Sequence, residues 1–213
     1  MDLLPFVNND TTDKNTIHSY IPIYSGIMQS KRQDAENILE IGVRDGGSIQ
    51  LWHDYFKKAR IWGLDIEDAL KPICADLKQK PRVHLDLNTD AYTEQTIKKL
   101  AVNKFDFIID DGPHTLDSQQ YAVKNYPQLL KDDGCLIVED VQCVTWIPEL
   151  FKQVPEHLKK FCFWVDLRQV PSPYKTLPME GMPPLLGSWP QAPWHTKGRY
   201  DDIMFIINKS MQG

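Results

Sequence analysis

The sequence predicts an α/β protein: a doubly wound sheet in a single domain, mostly parallel and finished by an antiparallel C-terminal strand. Short apolar segments alternate with segments of helical periodicity through residue 140, which is the pattern of parallel strands joined by right-handed crossovers. Successive apolar segments end in acids or in a glycine turn, at the edge where open sheets of this class bind ligands. After residue 140 the alternation stops, and two apolar runs stand on either side of a proline-rich stretch.

Taken in order, residues 1–16 are polar and turn-rich, and Ile17 to Ser30 carries Tyr20, Tyr24 and Met28 on one face of an expected short helix. Residues 1–30 together form an N-terminal cap segment. Ile38 to Val43 is the first strand, and a helix opens at Ser48 and runs through Phe56. Arg60 to Ile66 is a second strand and Val83 to Leu87 a third, followed by a helix from Thr93 to Leu100. Phe105 to Asp110, then a helix over Ser118 to Leu130, then Gly134 to Glu139 complete the alternating part. Phe161 to Leu167 and Ile203 to Asn208 read as the last strands. The 170–200 stretch between them holds too many prolines for a helix and is expected to be a lid loop carrying Trp189 and Trp194.

With 213 residues, 42% hydrophobic and 25% charged, the chain suits one globular domain. A formal net charge of -5 excludes a sequence-independent grip on nucleic acid. Cys74, Cys135, Cys143 and Cys162 make no CxxC pair and lie in or beside apolar runs, as in reduced cytoplasmic proteins. No segment has the apolar length of a membrane span or the pattern of an export signal, so neither a membrane nor a secretory route is expected. Composition leaves a homo-oligomer open.

Ile38 to Ser48 (ILEIGVRDGGS) is the most informative stretch: a strand runs into a turn at Gly42, Gly46 and Gly47, with Glu40 just ahead of it. Glycine lets a ligand approach the main chain closely. The spacing misses the GxGxxG of dinucleotide folds, and Glu40 would repel a pyrophosphate while suiting a cationic ligand.

Two later strand ends are dense in acid: Asp110-Asp111-Gly112-Pro113-His114 and Glu139-Asp140. Carboxylates gathered at one sheet edge repel one another unless a hard cation holds them. All-oxygen ligation favours Mg²⁺ (or Mn²⁺) over zinc. Asp111, Glu139 and Asp140 are the expected ligands, while Asp110 should face the cofactor. The competing explanation is that these acids are solvated loop residues or helix caps. His114, beyond a tight Gly-Pro turn, would stand beside the metal without having to ligate it and serve as general base.

The arrangement E-x-G-x-x-x-G-G, followed by strands ending in Asp65 and at Asp86 and Asn88, resembles the S-adenosylmethionine site of Rossmann-like class I methyltransferases. FIIDDGPHTLDSQQ, LIVEDVQ, LEIGVRDGGS, IWGLDI and TDKNTIHSYIPIY together resemble the metal-dependent macrocin and mycinamicin type of sugar O-methyltransferases. The resemblance implies that Glu40, Gly42, Gly46 and Ser48 wrap the amino-acid portion of the cofactor. It puts the ribose hydroxyls on Asp65 and the adenine by Asp86 or Asn88, and gives Asp111, Glu139 and Asp140 to Mg²⁺ and His114 to the base. Pro113 stands where relatives commonly carry Ser. Tyr20, Gln142, Arg168, Trp194 and His195 are the expected acceptor contacts.

The reaction that the resemblance implies moves a methyl group to a sugar hydroxyl, a 6-deoxyhexose such as rhamnose in a glycan or glycosylated metabolite being the family-level expectation, with magnesium easing charge on the reacting oxygen. A catechol-type O-methyltransferase is the nearest rival. A non-catalytic cofactor-binding module and a nicotinamide dehydrogenase are the others.

Overall fold

A computed structural model describes residues 2–168 and 202–211. The expected lid over 170–200, with Trp189, Trp194 and His195, lies outside the described residues. The chain divides into two compact units, Met1–Asp106 and Phe107–Gly213, and the boundary falls inside a strand.

In the first unit, helix α1 covers Ile21–Met28 and continues as a 3-10 turn over Gln29–Lys31. The helix starts four residues later than its apolar spacing suggests. Pro22 is tolerated only in a first turn, and the amides of Ile17 and His18 instead fold back onto the Asp13 carbonyl.

Strands β1 (Asn37–Ile41), β2 (Arg60–Asp65) and β3 (Val83–Leu87) are parallel in the order β3-β2-β1, with Glu40 opposite Gly63 and Leu64 opposite Asp86. Helix α2 (Gly47–Tyr55) connects the first pair and buries Ile49, Leu51, Trp52 and Tyr55. The second connection contains a 3-10 helix, Pro72–Gln79. Helix α3 (Glu94–Leu100) is capped by the Thr93 hydroxyl, which accepts the Thr96 amide.

Strand β4 (Phe105–Asp110) crosses the unit boundary and is buried at every position, Asp106 and Asp110 included. In the second unit, helix α4 covers Leu116–Asn125, opened by a capping box between Thr115 and Ser118. It begins two residues ahead of the expected start and stops before Pro127, where a 3-10 turn (Tyr126–Leu129) takes over. Strand β5 (Leu130–Val138) is longer than its apolar core implied. Helix α5 (Trp146–Gln153), which sequence reading did not anticipate, packs against α4.

Strands β6 (Cys162–Asp166) and β7 (Ile203–Asn208) complete the order β4-β5-β7-β6. β7 runs antiparallel to both neighbours, with Ile206 opposite Ile137 and Phe205 opposite Trp164. The strands are therefore mostly parallel with antiparallel pairing at the C-terminus, the expected class. No helix among the described residues is long and apolar enough to cross a membrane. The four cysteines are free thiols.

Candidate active site

The glycine turn of the first unit is built by β1, β2 and the start of α2. Gly42 and Gly46 adopt φ of 89° and 90°, and Arg44 between them is also left-handed at 45°. Only the glycines do this without steric cost. Asp65, at the end of β2, braces the turn: its Oδ2 accepts the amides of Val43 (2.8 Å) and Arg44 (2.7 Å). Its Oδ1 accepts the Glu67 amide at 2.8 Å. A carboxylate offers about four lone-pair sites, so Asp65 can brace the backbone and still accept a hydroxyl. Such a braced turn fits an S-adenosylmethionine ribose.

Glu40 is wholly buried. Its Oε2 accepts the Trp52 indole N–H at 3.1 Å, and its Oε1 faces the Lys14 ammonium at 3.6 Å. The cation next to Glu40 thus comes from the N-terminal segment of the chain itself. The same segment brings the Thr11 carbonyl so close to Gly47 that a Cβ there would stand 1.9 Å from the oxygen. Ser48 is buried in the first turn of α2. Asp86 is engaged by the Thr89 hydroxyl at 3.1 Å and by Lys99. Asn88, just past β3, is exposed and left-handed at φ 60°. Tyr20 has no exposed surface and stacks on His18 with ring centroids 4.9 Å apart.

In the second unit the Glu139 amide donates to the Asp110 carbonyl at 2.9 Å, which sets the C-terminal ends of β4 and β5 side by side. Asp111, His114 and Asp140 follow these ends. Each presents a ligand atom within 4.8 Å of the other two, which makes them a candidate metal group among the described residues. His114 Nε2 lies 3.8 Å from Asp111 Oδ1 and 3.6 Å from Asp140 Oδ2, close but beyond hydrogen-bond range. Oxygens around one magnesium ion, at about 2.1 Å from it, stand roughly 3–4 Å apart, and this spacing fits the donor set.

His114 and Asp140 both hold left-handed backbone, φ 53° and 52°. Such conformations are costly away from glycine and gather at functional sites. The first follows the Gly112-Pro113 pair, and the second lies two residues past the end of β5.

Glu139, an expected ligand, does not belong to this group. It is 1% exposed, and its neighbour Asp140 is the one brought to His114. Both acids lie past the end of β5, and Asp140 there takes left-handed backbone, φ 52°, with its carboxylate 3.6 Å from His114 Nε2. His114, expected beside the metal, supplies one of the three atoms of the group. Its Nδ1 is buried without a hydrogen-bond partner among the described residues. Asp110 is 2% exposed.

No family model matches the chain. It is 30% identical over 144 residues to the 8-demethyl-8-alpha-L-rhamnosyl tetracenomycin-C 2'-O-methyltransferase of Streptomyces olivaceus, across 63% of this chain and 36% of that protein. With the mycinamicin VI 2''-O-methyltransferase of Micromonospora griseorubida the identity is 26% over 137 residues, 61% of this chain and 33% of that one. The solved MycE methyltransferase of the mycinamycin biosynthetic pathway, in complex with Mg, SAH and mycinamycin VI, matches with a TM-score of 0.57 and 26% identity. That match covers 66% of this chain and 39% of MycE.

The chain has the class I methyltransferase fold and resembles the sugar O-methyltransferases. It spans about a third of the length of the two named relatives.

Within the methyltransferase fold, the structure adds residues that sequence reading passed over. Lys14 sits in a polar stretch that looks like surface, and nothing local marks it as buried. Gln119 carried a signal: it lies on the same α4 face as Ala122 and Val123, where a polar residue needs a reason. Gln142, an expected acceptor contact, donates its amide to the Asp140 carbonyl at 3.1 Å. Arg168, another, is paired in bidentate fashion with Asp166 at 2.9 and 2.8 Å. Those hydrogen bonds raise the Arg168 pKa against the opposing effect of burial.

Proposed function

We propose that this chain is a divalent-metal-dependent O-methyltransferase that moves the methyl group of S-adenosylmethionine to a sugar hydroxyl. The acceptor in this reading is a deoxyhexose such as rhamnose, within a glycan or a glycosylated metabolite. The observation that carries the reading is the convergence of Asp111, His114 and Asp140 within 4.8 Å after two strand ends.

Asp111 and Asp140, which meet beside His114, would hold Mg²⁺ or Mn²⁺. Bound there, the ion supplies charge stabilisation to an oxygen becoming nucleophilic. Alcohols are weak nucleophiles near neutral pH, so a base is also required. His114 takes the hydroxyl proton at Nε2, and the facing Asp111 and Asp140 carboxylates stabilise the resulting imidazolium.

In the first unit, Gly42, Gly46 and Ser48 would wrap the amino-acid part of the cofactor, with Glu40 and Lys14 as nearby charges. The remaining acceptor capacity of Asp65 Oδ1 suits a ribose hydroxyl, and Asn88 suits the adenine edge. The named relatives support a sugar acceptor: one methylates a rhamnosyl tetracenomycin, the other mycinamicin VI.

Incubation with methyl-labelled S-adenosylmethionine and a panel of rhamnosylated acceptors and catechols, followed by mass spectrometry with and without EDTA, tests the reading. Label should reach a sugar hydroxyl only when metal is present. Label on catechols alone would overturn the acceptor class, and EDTA-resistant transfer would overturn the metal dependence.

A further inference from the structure

We propose that Gln119 is a positioning residue that holds the Glu139-Asp140 backbone in the turn presenting the Asp140 carboxylate to His114. The proposal deepens the metal-site reading above and rests on Asp111 and Asp140 being ligands. Gln119 lies in α4, four residues after the Thr115 cap and so in the helix that directly follows His114. It is 1% exposed.

Its Nε2 donates to the Glu139 carbonyl at 2.9 Å and to the Asp140 carbonyl at 3.3 Å. Two acceptors meeting at one terminal atom settle the orientation of the amide, because the reversed amide would set oxygen against oxygen. Its Oε1 is then buried without a hydrogen-bond partner among the described residues. An apolar side chain of the same shape would avoid that desolvation cost. What the glutamine contributes is therefore its amide nitrogen.

That nitrogen acts where the chain is strained. Asp140 holds φ 52°, so its carbonyl leaves the direction of β5 and needs a donor away from the sheet. Gln119 supplies one and Gln142 a second. Rotation about the Asp140 backbone would swing its carboxylate away from His114 Nε2, now 3.6 Å distant. One helix thus orders both sides of the group, following directly after His114 and clamping the peptide that bears Asp140.

The test compares wild type with Gln119→Met, which keeps length and loses the donor. Mn²⁺ affinity is read by electron paramagnetic resonance, S-adenosylhomocysteine affinity by calorimetry, and amide hydrogen exchange over residues 138–142 by mass spectrometry. The variant should bind Mn²⁺ about tenfold or more weakly, the usual effect of removing a partner behind a ligand. It should exchange faster in that peptide while binding S-adenosylhomocysteine as wild type does. Unchanged exchange at 138–142 overturns the proposal, as does a general loss of S-adenosylhomocysteine binding and protection across the chain. If wild type itself binds no Mn²⁺, the metal reading fails, and faster exchange confined to 138–142 in the variant still supports Gln119 as the brace.

Discussion

The Lys14 ammonium faces the Glu40 carboxylate at 3.6 Å, with side chains only 2% and 0% exposed. The pair ties the N-terminal segment to the strand that leads into the glycine turn. Lys14→Met would leave Glu40 charged and buried, at a cost of about 3–5 kcal/mol. Combining Lys14→Met with Glu40→Gln, which keeps an acceptor for Trp52, should recover much of that loss. Urea unfolding of the two variants checks this, and equal stability of the two would show that the pair carries no such weight.

Asp65 holds the turn through the Val43 and Arg44 amides. Asp65→Ala strands those donors, which costs about 1–3 kcal/mol, and also removes the acceptor proposed for the ribose. Calorimetry should therefore show S-adenosylhomocysteine affinity falling by about tenfold or more, as loss of one charged hydrogen bond predicts. Wild-type affinity in a stable variant would assign Asp65 to the backbone alone.

Gly47 is in contact with the Thr11 carbonyl, and a methyl there would stand 1.9 Å from the oxygen. Gly47→Ala must push the N-terminal segment away, with a loss of about 1–3 kcal/mol. In a chain of this size that lowers Tm by roughly 2–4 °C per kcal/mol. Differential scanning calorimetry reads it directly, and an unshifted Tm would refute the close packing of this segment.

His114→Ala should lower turnover by about 10²–10⁴-fold, the range for losing a general base. Binding of S-adenosylhomocysteine should be nearly unchanged, because the imidazole faces Asp111 and Asp140. A fully active variant would end the base assignment.

Treatment with EDTA should abolish methyl transfer, and added Mg²⁺ or Mn²⁺ should restore it, as expected for clustered oxygen donors. Restoration by zinc alone would point to a different donor set.

Strands were the most legible elements, and Val83–Leu87, Phe105–Asp110 and Ile203–Asn208 match their expected bounds to the residue. Strand side chains alternate or are buried throughout, so composition marks their limits well. Helix starts were less legible. Pro22 moved one later, and the Thr115 capping box moved another earlier, since caps and prolines outweigh apolar spacing at a helix end. In the site, the DDGPH and ED segments drew attention through their density of acid. Which of two adjacent acids would meet the histidine depended on one backbone angle at Asp140 that no residue type announces.

By itself the sequence determined the class of fold and the chemical inventory: a glycine turn with an acid before it, an acid closing β2, and carboxylates with a histidine after β4 and β5. These follow from local patterns of polarity and from what glycine and proline allow. Only the tertiary structure decided the partners: Lys14 against Glu40, Asp65 against the turn amides, Asp140 rather than Glu139 beside His114, and Gln119 on their carbonyls. The physical reason is burial. Once polar groups leave water most are held by a polar partner nearby, and that choice is made among segments far apart in the chain.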